Sequence, residues 1–235
     1  MDPVQASISL SSGKGRMKKG RPVMAMKDRV LALLRGHEAA RIRFTVPSAS
    51  VPVTINHVTF TTVANAIVAG KIGVSPFAST TRALAEYHQP AGPTAPTTGQ
   101  LMVPPILGRI EEAAVMHEST HAFFDLTTSN ITATEEEAVS YIVTALYHRM
   151  TGLTPTRWTG AEPFISAKAV ADALLSQYQA GAAGVPAVQA GQFQTLMLAV
   201  ALDPTYLLPA SPGASTPAGL FGGFLGGSVR YVHNG

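Results

Sequence analysis

Two histidines stand four residues apart in "AVMHESTHAFFDL" (114 to 126), with a glutamate directly after the first. On a helix, residues i and i+4 lie one above the other, so His117 and His121 can direct two imidazoles to a single point. Neutral imidazole is a good zinc ligand. Glu118 is rotated about 100° around the helix from His117, which lets its carboxylate reach a water held by the metal without being a ligand. This is the HExxH pattern, in which the acid serves as general base for hydrolysis. Ordinary residue frequencies produce the pentapeptide by accident in roughly one chain in a hundred of this length, so its flanks matter. Ala114, Val115 and Met116 before it, with Ala122, Phe123 and Phe124 after it, bury the helix on most sides. Imidazoles and a carboxylate in such a setting need partners, and a metal ion supplies them together.

A catalytic zinc ion usually takes three protein ligands and keeps a fourth position open. The extended motif HExxHxxGxxH is absent, because Phe124 stands where its glycine would be and Thr127 where its last histidine would be. The chain has no cysteine, so the third ligand must be His, Asp or Glu. "TEEEAVSYIVTALY" (134 to 147) offers Glu135, Glu136 and Glu137 at the start of the next helical stretch, close enough for the two helices to pack as an antiparallel pair.

"VMHESTHAFFDLT" resembles the active-site helix of the thermolysin-like gluzincin metallopeptidases, including the Thr before the second histidine and Asp125 four residues after it. "EAVSY" (137 to 141) is similar to that family's Glu-x-x-Ser-Asp segment. The resemblance covers about thirty residues. It implies an α+β, zincin-like fold, mainly helical, with a two-helix metal site. It also implies Zn2+ held by His117, His121 and Glu137, Glu118 as general base, Asp125 in a structural role, and a peptide or protein substrate. Glu135, three residues before Ala138, gives a competing Glu-x-x-Ala match for the third ligand. Glu136 lies between the two on the helical wheel and reads as a solvated charge at the helix start. Tyr141 replaces the Asp that would hold the other ring nitrogen of His117, so that ring needs a different partner, such as a backbone carbonyl.

A donor for the oxyanion is also required. His148 lies eleven residues beyond Glu137 on the same helix, about 16 Å along its axis, and reads instead as a partner of the helix C-terminal dipole. Tyr87, His88, Tyr206, Tyr231 and His233 stay open for that role.

The elements that must position these groups follow from periodicity. "MKDRVLALLRGHEAA" (26 to 40) has amphipathic helical spacing, and "TTVANAIVAGKI" (61 to 72) returns to it. Between them "RIRFTV" (41 to 46) and "VPVTINHV" (51 to 58) alternate as two strands. "HQPAGPTAPTTG" (88 to 99) reads as a loop. "QLMVPP" (100 to 105) reads as an edge strand ended by its prolines, suited to aligning an extended peptide. Helices are expected over 107 to 126 and 134 to 150, the latter with Thr134 as N-cap, and near 165 to 180 and 186 to 202.

The organisation expected is a flexible basic arm over 1–25, a zincin-like domain over 26–205 and a Gly/Pro-rich arm over 206–235 carrying Leu220, Phe221, Phe224 and Leu225. Only 13% of the 235 residues are charged and 46% are hydrophobic, as befits a packed core rather than disorder. The net charge of +3 is small. The basic cluster "GKGRMKKGR" (13 to 21) therefore reads as a solvated arm, not a nucleic-acid surface. "SSGKG" (11 to 15) lacks the spacing of a phosphate loop. Trp158, beside Arg157 in a Pro/Gly loop, reads as a loop anchor. Neither a membrane span nor a classical signal peptide is expected, which is compatible with a cytoplasmic protein or one exported by a dedicated system, such as a delivered toxin-like protease. The rival expectation is a zincin-like structural or interaction protein of a larger assembly, its two arms holding protein partners.

Overall fold

A computed structural model describes residues 25–48, 52–76, 84–89, 99–129, 131–153, 161–181 and 184–203. Both arms, Arg157, Trp158, Tyr206, Tyr231 and His233 lie outside them. The fold is mixed α+β, mostly helical, with two small sheets. No helix among the described residues is long and apolar enough to cross a membrane.

Its centre is a pair of long helices, α4 (Arg109–Thr127) and α5 (Ala133–Met150). The side-chain pairs His121 with Glu136, His117 with Thr144 and Glu112 with Tyr147 run in opposite senses along the two helices, which are therefore antiparallel. The chain reverses between them at Thr128, which takes the left-handed conformation (φ 47°) as α4 ends, while Ser129 donates to the carbonyl of Phe124. Both helices are buried nearly all round: residues 113–122 of α4 and 135–148 of α5 are inaccessible. A helix in that position shows no polar stripe, and its polar residues must find partners inside the protein.

The N-cap of α5 is Thr132, not Thr134. The Thr132 hydroxyl accepts from the Glu135 N–H at 3.2 Å, and the Glu135 carboxylate accepts from the Thr132 N–H at 2.8 Å. This reciprocal capping box satisfies two backbone donors that the helix leaves over. The signature is present in the sequence as "TATE" (132 to 135).

Around the pair are α1 (Met26–Leu34), α2 (His37–Arg41), α3 (His57–Val68), α6 (Phe164–Gln179) and α7 (Ala190–Leu202). The single helix expected over 26–40 is broken, because Gly36 turns extended (φ −74°, ψ 171°) and starts α2. A Cβ there would lie 3.0 Å from the carbonyl oxygens of Ala32 and Leu33, tighter than most side chains allow. Strands β1 (Phe44–Val46) and β2 (Val53–Ile55) lie within the two expected strands and pair antiparallel, with Phe44 opposite Ile55. Asn56 then caps α3, accepting from the Val58 N–H at 2.8 Å.

The second sheet holds β3 (Ile72–Pro76), β4 (Glu86–His88) and β5 (Gly99–Val103) in the order β3-β5-β4. Here the expectation of an edge strand at 100–105 is corrected. Strand β5 is central, parallel to β3 and antiparallel to β4. Pro104 and Pro105 fall after its last paired residue, so they cost the ladder no donor. The edge strand packed on α4 is β4, which the sequence hides at the start of a Pro/Gly stretch.

Candidate metal centre

His117 and His121 lie one turn apart on α4 with ring centroids 5.0 Å apart, and they face the first two turns of α5. There Glu137 presents one carboxylate oxygen to each histidine. Oε2 lies 3.5 Å from Nε2 of His117 and Oε1 lies 3.6 Å from Nε2 of His121. One ligand atom from each of the three residues falls within 4.8 Å of the others. Ligands about 2.1 Å from one tetrahedral ion stand about 3.4 Å apart. The observed separations are thus close to those of two donors sharing an ion, and long for direct hydrogen bonds.

The opposite ring nitrogens are occupied. Nδ1 of His117 lies 3.2 Å from the Thr144 hydroxyl, whose own proton goes to the carbonyl of Ser140 at 2.9 Å. The hydroxyl must therefore accept, and Nδ1 of His117 carries the hydrogen. The Ser140 carbonyl accepts from that ring as well. This is the substitute partner that Tyr141 made necessary; Tyr141 itself packs edge-on against the His117 ring at 5.3 Å. Nδ1 of His121 lies 2.7 Å from Oε1 of Glu136. With Nδ1 protonated in both rings, both Nε2 lone pairs point at Glu137, and only a cation or an added proton reconciles lone pairs with a carboxylate.

Glu136 is the clearest correction to the sequence reading. Expected at the surface, it is 1% exposed and bonded to His121. Because α5 has no solvated face at that level, the residue next to Glu137 also turns inward, toward α4. The capping box engages Glu135 at the helix start, while Glu137 faces both histidines.

Glu118 belongs to the same buried cluster, at 5% exposure. Its Oε2 accepts from the main-chain N–H of Tyr87 on β4 at 2.9 Å. Burial, together with the nearby Glu137 and Glu86, raises its pKa well above the usual carboxylate range. Burial lowers that of His117. Burial also pulls His121 down, but Glu137, Glu136 and Glu118 outweigh it and push the ring up to about 9. Three carboxylates and two imidazoles buried together need compensation for their charge, and His117, His121 and Glu137 among them could hold a metal ion.

The other named residues separate into different roles. Asp125 accepts from the Tyr87 hydroxyl at 2.7 Å, tying β4 to α4. That bond removes Tyr87 from the oxyanion-donor candidates. His88 pairs with Glu86 at 3.0 Å and stays partly exposed beside the same strand. His148 is 4% exposed, and burial lowers its pKa to about 4. It is therefore neutral and is not the charged dipole partner expected.

Comparison with protein-family models, with curated proteins and with solved structures gives no match. The His117, His121 and Glu137 group could hold a metal ion on its own geometry.

Proposed function

We propose that the protein is a zinc-dependent metallopeptidase of gluzincin type, a zincin-like domain that hydrolyses peptide bonds. The observation that carries this reading is the placement of two histidine Nε2 atoms on the two oxygens of Glu137, with Glu118 buried in the same cluster. Two histidines and one glutamate make a donor set common in catalytic zinc sites, and the set leaves a coordination position free. When bound, zinc supplies a Lewis acid that polarises the scissile carbonyl and makes water acidic enough to attack near neutral pH.

The chain's own residues do the rest. Glu118, steadied through Oε2 by the Tyr87 N–H, takes the proton of the attacking water on Oε1 and passes it to the leaving amine. Strand β4, at the sheet edge against α4, would be the segment that aligns an extended peptide.

The test is Glu118→Gln in the full chain, assayed with an internally quenched peptide library and with casein. Zinc content should stay at the wild-type level while hydrolysis falls by roughly a hundredfold or more. Undiminished cleavage would remove Glu118 from the role. The deep burial of all four groups (His117 4%, Glu118 5%, His121 2%, Glu137 8%) also suits a second reading, a zincin-like structural or interaction protein that keeps the ion for stability. A wild-type protein that binds zinc and cleaves nothing in these assays would favour it.

A further inference from the structure

We propose that Glu136 is a positioning residue of the metal centre, whose carboxylate takes the Nδ1–H of His121 and thereby turns the Nε2 lone pair of that ring toward the ion. This rests on the metal-centre reading above. Consecutive residues on a helix project about 100° apart, and here that angle brings Glu136 and Glu137 to opposite nitrogens of one imidazole, at 2.7 and 3.6 Å. Both Glu136 and His121 are almost wholly inaccessible, so no water competes for the bond.

The two histidines are consequently not equivalent. His117 is held by neutral acceptors, the Thr144 hydroxyl and the Ser140 carbonyl. Among the described residues, a carboxylate stands behind His121. A carboxylate accepting the far N–H of an imidazole gives the ring partial imidazolate character and makes it a better donor to a cation. The charge assistance at this centre is therefore placed on the second histidine of the motif, by the residue that directly precedes the glutamate ligand.

The experiment measures zinc affinity of the full-length, metal-stripped chain by competition with a chromogenic chelator, for wild type, Glu136→Gln, Glu136→Ala, Glu137→Gln and Thr144→Val. Glu136→Gln, which keeps an acceptor and loses the charge, should bind zinc 10–100-fold more weakly, with Glu136→Ala at least as weak and Thr144→Val less affected. The circular dichroism of the stripped proteins separates loss of metal from loss of fold. A second measurement needs no variant. In the zinc-loaded wild type, long-range nitrogen–proton NMR should show His121 protonated at Nδ1, with a strongly deshielded proton, and metallated at Nε2. Zinc affinity of Glu136→Gln within about twofold of wild type, or metal on Nδ1, overturns the proposal. So does loss of binding in Glu136→Gln with full binding in Glu137→Gln, which would make Glu136 the ligand. A wild-type chain that takes up no zinc overturns instead the metal-centre reading beneath it.

Discussion

Tyr87 holds α4 at two points: its main-chain N–H donates to Glu118 at 2.9 Å, and its hydroxyl donates to Asp125 at 2.7 Å. Residues 118 and 125 are seven apart, so they lie on the same face of the helix, two turns from one another. A single residue of the edge strand thus fixes both Glu118 and the position of the strand along the helix.

Removing the second of these bonds should loosen the first. Tyr87→Phe is expected to lower stability by roughly 1.5–3 kcal/mol, the range for a hydrogen bond to a charged group, and to reduce hydrolysis without changing zinc content. Gly99→Ala should act on the same contact from the other side. A Cβ at Gly99 would lie 2.2 Å from the Tyr87 hydroxyl, so the ring must move. Urea unfolding of both variants, with zinc content measured in parallel, checks the pair; wild-type stability in both would show that the clamp carries little of the fold's free energy.

The neighbouring glutamates of α5 should respond to substitution in opposite ways. Glu135→Ala removes half of a capping box and is expected to cost about 1 kcal/mol while leaving zinc uptake intact. Glu137→Gln should leave the helix start alone and weaken zinc binding sharply. Equilibrium unfolding and chelator competition on the two proteins decide the matter, and an exchange of the two phenotypes would reassign the third ligand to Glu135.

Acid should act on the fold through His148. Burial lowers its pKa from the ordinary 6.5 to about 4, so the folded chain resists the proton that the unfolded chain accepts. Its contribution is therefore present in full above pH 6.5 and declines as the pH falls toward 4. The loss amounts to something on the order of 3 kcal/mol at the acid end. In metal-free protein, His148→Gln should flatten the decline between about pH 6.5 and 4. Parallel pH dependences of urea midpoints in wild type and variant would show that His148 does not set it.

The paired helices could be read from the chain because their signals are local: histidines at i and i+4, acids at a helix start, and a short connection between. The same locality failed where a residue's partner lies elsewhere in the fold. Glu136 was misplaced because helical-wheel reasoning assumes a wet face, and α5 has none at that level. The apolar residues that follow on every side of the helix, Ala138, Val139, Ile142, Val143 and Leu146, broken only by small hydroxyls and Tyr141, are the available warning. "TATE" was a capping box in plain view, and reading it would have set Glu135 aside and moved the N-cap from Thr134 to Thr132. No periodicity could have shown Tyr87 beneath Glu118, since a three-residue strand carries almost no pattern of its own. The central place of β5 was equally hidden, because strand order depends on pairing with β3 and β4 rather than on the sequence of β5.

Every group that would hold the ion, together with the partners that orient the two histidines, falls between His117 and Thr144, within one helical hairpin. Closing so short a loop costs little chain entropy. Tyr87, which would steady the proposed general base, comes from outside this hairpin, and its place depends on the ordering of a whole sheet. On the proposed reading, chelation would be a property of a short local unit, and proton transfer a property of the completed tertiary structure. Damage to the sheet should therefore silence the chemistry while leaving the ion in place.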